Sequence, residues 1–140
     1  MGKLPVDCPL DVDATETVLA ESPDAVIVAT GSHPYVPPLP GLDGKHVVTD
    51  RDVLLDRIPV GERVHVVNDV HTQQGLSTAE CLLDRGCQVE VISRLFYPGQ
   101  DIGVTSIQPL YARLFAKAVT LTPNTDLVVV ERSTVVDANA

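Results

Sequence analysis

Two short polar stretches carry whatever chemistry this chain can do. One is Asn68-Asp69-Val70-His71-Thr72-Gln73-Gln74-Gly75, which follows the apolar residues Val64, Val66 and Val67 and leads into a helical pattern. The other is Ser93-Arg94, at the end of the run Val89-Glu90-Val91-Ile92. A turn that joins a strand to a helix aims the free N–H groups of the helix at a ligand, and the ligand that suits them is an anion, phosphate above all. The dinucleotide fingerprint G-x-G-x-x-G builds that turn with three glycines: one for the tight bend, one for the approach of a pyrophosphate, one for close packing of helix on strand. Counting back from Gly75, the first two places hold Val70 and Thr72. The packing role is kept and the phosphate-approach role is not. Asp69 repels a phosphate, whereas a protonated His71 attracts one.

The second strand tip completes the test. An acidic residue about 20 residues past the turn accepts ribose hydroxyls, and an Arg there favours a 2′-phosphate. Here the tip is Ser93-Arg94, with no carboxylate. That weakens an NAD reading and permits an NADP one, in which Arg94 would contact the 2′-phosphate.

No catalytic constellation accompanies these stretches. The four histidines, His33, His46, His65 and His71, stand at no metal-ligand spacing. His65 alternates with valines and reads as structural. There is no G-x-S-x-G elbow and no P-loop. Ser77 and Thr78 read as local hydrogen-bonding residues. The three cysteines, Cys8, Cys81 and Cys87, form no C-x-x-C and read as small, partly buried residues rather than a disulfide, metal or iron–sulfur framework. Chemistry would have to come from a bound cofactor or from other polypeptide.

The elements that position these residues follow from periodicity. Val64–Val67, a helix opened by Gly75 and closed by Gly86, and Val89–Ile92 form a βαβ unit. Leu76, Ala79, Leu82 and Leu83 share the inner face of its helix, and Glu80, Asp84 and Arg85 face away. Before it, Asp13 and Glu16 open a short helix that Ser22-Pro23 ends. Ala25 to Ala29 read as an apolar strand suited to burial in a parallel sheet. Thr30-Gly31-Ser32 turns, and Pro34, Pro37, Pro38 and Pro40 stiffen a connector. Lys45 to Val48 read as a brief strand, and Thr49 with Asp52 as a capping box for a short helix.

After the βαβ unit, Pro98-Gly99 marks a turn and Phe96-Tyr97 are placed over the sheet edge. A second clear helix carries Ile107, Leu110, Tyr111, Leu114, Phe115 and Ala118, with Ser106 as its cap and Pro109 in its first turn. Val119–Leu121, Leu127–Val130 and Thr134–Val136 read as closing strands. The fold expected is α/β: a three-layer, Rossmann-like nucleotide-binding domain with a mainly parallel sheet.

Composition limits the function. The chain has 140 residues, a net charge of −9 and no Trp. It is long enough for one core, which Val, Leu, Ile and Ala must fill. Nothing offsets the acidic balance, so no nucleic-acid partner and no anionic-membrane partner are expected. No apolar run reaches the length of a membrane span and no signal-peptide pattern opens the chain, which makes a cytoplasmic location the expectation.

The segment Ala29-Thr30-Gly31 with Pro34 resembles the A-T-G-x-x-P segment of glutathione-reductase-type flavoproteins. The order of segments is similar to the C-terminal half of the NADH:flavin oxidoreductase family of the trimethylamine dehydrogenase and 2,4-dienoyl-CoA reductase type. The matching stretches are PDAVIVATGSHPYVPPLPGLDG, VHVVNDVHTQQGLSTAECLLDRGCQVEVIS, LFYPGQDIGVTSIQPLYARL and VTLTPNTDLVVVE. The glycine-poor, acidic turn at Asn68-Asp69-Val70-His71 fits that group better than it fits a working G-x-G.

The resemblance implies a modular parent. It would carry an FMN barrel, an iron–sulfur cluster, and two dinucleotide-type folds that bind FAD and NAD(P)H, or ADP alone. This chain would be a fragment of it: residues 1–44 the tail of the flavin-type domain with its connector, residues 45–140 the NAD(P)/ADP-binding-like domain. The implied contacts are Ala29, Thr30 and Gly31 toward FAD, and Asn68, Asp69, His71, Gly75, Ser93 and Arg94 toward ADP or NAD(P)H. The remainder of the flavoenzyme is the expected partner, and surface exposed by truncation would favour self-association. Alone, the fragment is not expected to turn over substrate. The competing readings are a degenerate domain with a structural or docking role that binds nothing, and a free-standing NADPH-binding subunit.

Overall fold

The computed structural model describes residues 9–70, 72–131 and 134–139. These fall into two compact units, Met1–His33 and Pro34–Ala140. The first holds helix α1, Ala14–Glu21, where the Thr17 hydroxyl donates to the Asp13 carbonyl at 3.0 Å. Ser22 follows in the left-handed region, at φ 47°.

The apolar run expected to be a buried strand, Ala25 to Ala29, forms no strand and is exposed. Ile27 keeps 92% of its surface in solvent. The correction has a simple cause: a parallel strand needs neighbours on its edges, and no described strand pairs with this run.

The second unit contains α2 (Asp50–Leu54), β1 (Arg63–Val67), α3 (Gln74–Asp84), β2 (Gln88–Ile92), α4 (Val104–Ala116), β3 (Thr120–Thr122), β4 (Thr125–Glu131) and β5 (Thr134–Asn139). β1, β2 and β3 form a parallel sheet in chain order, with Val64 opposite Val89, Val66 opposite Val91, and Val91 opposite Leu121. β4 and β5 form an antiparallel hairpin. The α/β, largely parallel architecture expected from the sequence is present.

One face of the sheet, Val64, Val66, Val89, Val91 and Leu121, packs against Leu76, Ala79 and Leu82 of α3, Leu110 and Leu114 of α4, and Val53 of α2. The opposite face carries a polar row in which His65 Nδ1 lies 3.2 Å from Glu90 Oε2. Thr122 also donates its hydroxyl to Glu90. Ile92 on that face is buried, and the first residue of β4, Thr125, donates its N–H to the Ser93 carbonyl at 3.0 Å.

The three helices of the second unit stop by the same device. At the end of α3, Gly86 (φ 84°) donates to the Leu83 carbonyl and Cys87 to the Leu82 carbonyl, the paired bonds of a Schellman motif. Asp56 does this after α2 and Ala118 after α4, at φ 52° and 58°.

Other expectations are revised. Lys45 and His46 are turn and Val47 and Val48 irregular, not strand; the Val47 N–H donates to the Gly44 carbonyl. Thr49 does cap α2, accepting the Asp52 N–H at 3.2 Å and donating to the Asp52 carboxylate at 2.7 Å. α4 starts earlier than Ser106, with Gly103 before Val104 and no side-chain cap, so Pro109 lies inside the helix. Phe96 is exposed rather than laid over the sheet. Cys81 and Cys87 are half-buried free thiols, and Cys8 lies outside the described residues.

Candidate functional site

The C-terminal ends of β1 and β2 lie side by side, and hydrogen bonds hold them so. The Asn68 N–H donates to the Ile92 carbonyl at 2.8 Å, which extends the sheet one residue past β1. The Ser93 hydroxyl, fully buried, donates to the Asn68 carbonyl at 2.8 Å and accepts the Leu95 N–H at 3.2 Å. Ser93 was singled out as a ligand contact; its described partners are backbone groups that tie the two tips together.

Asp69 and Arg94 face each other across this join. The Arg94 N–H reaches Asp69 Oδ1 at 3.5 Å and its Nε lies 4.0 Å from the same oxygen. The tip of β2, which lacks a carboxylate in sequence, therefore receives one from β1.

α3 begins five residues further on. Gln73 stands before its first residue with a helical backbone, offers no side-chain cap, and no acidic residue lies in the first turn. The leading N–H groups of a helix have no partner within it, and here the Gln73 side chain supplies none. Gly75 sits in that first turn. A Cβ at this position would lie 2.7 Å from the Asn68 amide carbon and oxygen, so the close-packing role read from the sequence is real and its partner is Asn68. The Asn68 side chain is buried, and neither its oxygen nor its nitrogen has a hydrogen-bond partner.

The structure thus gathers Asn68, Asp69, Gly75, Ser93 and Arg94 at one edge of the sheet. His71 lies outside the described residues. Ala29, Thr30 and Gly31 belong to the first unit, exposed, with Gly31 at φ 82° and open space where a Cβ would stand. Among the described residues no group of His, Cys, Asp or Glu could hold a metal ion, and no helix is long and apolar enough to cross a membrane.

The sequence reading missed a charged cluster that fixes α3 against α4. Arg113 donates from Nε and Nη2 to the two Glu80 oxygens at 2.6 and 3.0 Å, and Lys117 reaches Glu80 at 3.4 Å and Asp84 at 2.5 Å. Glu80 and Asp84 therefore do not simply face away. The hydrogen bond from Arg113 holds the Glu80 carboxyl below its ordinary range, and the bond to Asp84 raises Lys117.

No protein-family model matches the sequence. The chain is 31% identical over 129 residues to the N,N-dimethylglycine/sarcosine dehydrogenase of Chromohalobacter salexigens, covering 87% of this chain and 19% of that enzyme. It is 35% identical over 119 residues to the bilirubin reductase of Mediterraneibacter gnavus, covering 84% of this chain and 18% of that enzyme. Its relatives and structural neighbours are FAD/NAD(P)-dependent oxidoreductases, and the match is consistent with part of their FAD/NAD-binding region. The chain spans about a fifth of the length of these relatives.

The solved structure of a 2-naphthoyl-CoA reductase shares the fold, with a TM-score of 0.79 at 22% identity over 89% of this chain and 19% of that one. The neighbours are FAD- and NAD(P)H-dependent enzymes.

Proposed function

We propose that residues 45–140 bind an adenine nucleotide, ADP or the ADP part of NAD(P)H, and that the chain serves electron transfer within a larger flavin- and iron–sulfur-dependent oxidoreductase of amine-dehydrogenase or enoate-reductase type. In this reading residues 1–44 are the tail of the flavin-type domain. The parent's FAD would touch this chain at Ala29, Thr30 and Gly31 and be held mainly by other polypeptide.

The observation that carries the reading is the uncapped N-terminus of α3 at the C-terminal edge of a parallel sheet, the place where this architecture receives phosphate. The N–H groups of Gln74, Gly75 and Leu76 would receive the phosphates, and His71 would add positive charge when protonated. Asp69 and Arg94 would face the ribose.

One feature favours a structural or docking domain that binds nothing: one Asp69 oxygen already faces the Arg94 N–H and Nε, at 3.5 and 4.0 Å. Calorimetric titration of the chain with ADP, NADH, NADPH and FAD separates the two. Saturable binding of ADP or a nicotinamide nucleotide by folded protein is the expected result. A folded sample that binds none of them leaves the docking domain. Sedimentation at several concentrations, with and without ADP, tests whether the exposed run at Val26–Val28 drives self-association.

A further inference from the structure

We infer that Asp69 chooses the nucleotide: its carboxylate accepts the ribose hydroxyls of an adenosine, and its pairing with Arg94 denies a 2′-phosphate the cation it would need. The inference rests on the nucleotide reading above and names the substrate class within it, nucleotides with an unmodified 2′-hydroxyl.

Read along the chain, Arg94 at the tip of β2 favours a 2′-phosphate. The geometry reverses that expectation. Asn68 and Ser93 lock the tips of β1 and β2 together at 2.8 Å in two bonds, which leaves the next residues, Asp69 and Arg94, no choice but to meet. Both contacts from Arg94 fall on one carboxylate oxygen, Oδ1. The other oxygen takes part in neither, and a carboxylate has about four acceptor positions in all, so a ribose diol can still be received.

Both side chains are open to a solute, Asp69 with 38% and Arg94 with 57% of the side chain exposed. A 2′-phosphate would bring close to two negative charges against the same carboxylate. It would have to compete with Asp69 for Arg94 and be repelled by it as well. A diol meets neither obstacle.

The test is titration of the chain with ADP and with 2′-phospho-ADP, for the wild type, Asp69→Asn and Arg94→Ala, with a thermal melt of each variant. Asp69→Asn keeps the side-chain shape and removes the charge. The wild type is expected to favour ADP by about tenfold or more, and Asp69→Asn to lose that preference or invert it as Arg94 is released. Arg94→Ala is expected to keep it. An Asp69→Asn chain with the wild-type ratio overturns the inference, as does a wild type that favours 2′-phospho-ADP or an Arg94→Ala chain that loses selectivity as Asp69→Asn does. A folded wild type that binds neither nucleotide instead sinks the nucleotide reading on which the inference stands.

Discussion

The side chain of Asn68 fills the space that a Cβ on Gly75 would need: the distance from that Cβ to the Asn68 Cγ and Oδ1 would be 2.7 Å, and to its Cβ 2.9 Å. Gly75→Ala is therefore expected to destabilise the chain by about 1–3 kcal/mol, the usual cost of overpacking. Combining it with Asn68→Ala should recover part of the loss, because Cγ and Oδ1 are gone while Cβ remains. Urea denaturation of the two single variants and the double variant measures this coupling; strictly additive losses would contradict the contact.

Ser93→Ala removes a buried hydroxyl that serves two backbone groups at once, the Asn68 carbonyl and the Leu95 N–H. Leaving such groups unpaired costs about 1–3 kcal/mol. The same variant should loosen the meeting of Asp69 with Arg94, so ADP should bind more weakly even where the protein remains folded. Denaturant melts give the first quantity and calorimetry the second.

Ala118 ends α4 in the left-handed region, at φ 58°, a position its counterpart Gly86 occupies without a Cβ. Left-handed backbone costs a residue with a Cβ about 1–2 kcal/mol. Ala118→Gly is expected to raise stability by about 1 kcal/mol after the greater freedom of glycine in the unfolded chain is counted. The control Gly86→Ala should lower it. Both are read from the midpoint of urea unfolding.

The Glu80 carboxyl titrates below its ordinary value of 4.5 because Arg113 donates to it. A depressed folded-state pKa contributes stability that is fully present above 4.5 and is lost as the pH falls toward the lowered value. Glu80→Gln should flatten the stability profile below about pH 5 and change it little in shape near neutrality. The pair is partly exposed, so added salt should narrow the difference between the two proteins. Thermal melts from pH 3 to pH 8 provide the comparison.

The central βαβ unit was legible because its signals are local. Valines on alternate positions of β1, Leu76, Ala79 and Leu82 on one helical face, and Gly86 after the last turn each point to one structure without reference to the rest of the chain. The run Ala25–Ala29 misled for the converse reason. Its residue types suit a buried strand, but burial and pairing depend on partners, and none is described beside it.

The site was half legible. Gly75 announced a close approach, and a sequence cannot say what approaches; only the fold shows that it is Asn68. Asp69 and Arg94 are 25 residues apart, and their meeting depends on the register that sets Val67 opposite Ile92. The Glu80–Arg113 pair likewise needed the relative placement of α3 and α4, which helical periodicity does not carry.

Strand order has a kinetic consequence. β1, β2 and β3 are neighbours in space in the order in which they occur in the chain, each joined to the next by a single helix. No strand waits for a partner from a distant part of the sequence, so each pairing closes one loop of modest length. For a parallel sheet, usually slow to assemble because its partners are remote, this keeps the mean sequence separation of contacts low. The pairings of this sheet and of the β4–β5 hairpin therefore each join elements that follow one another in the chain.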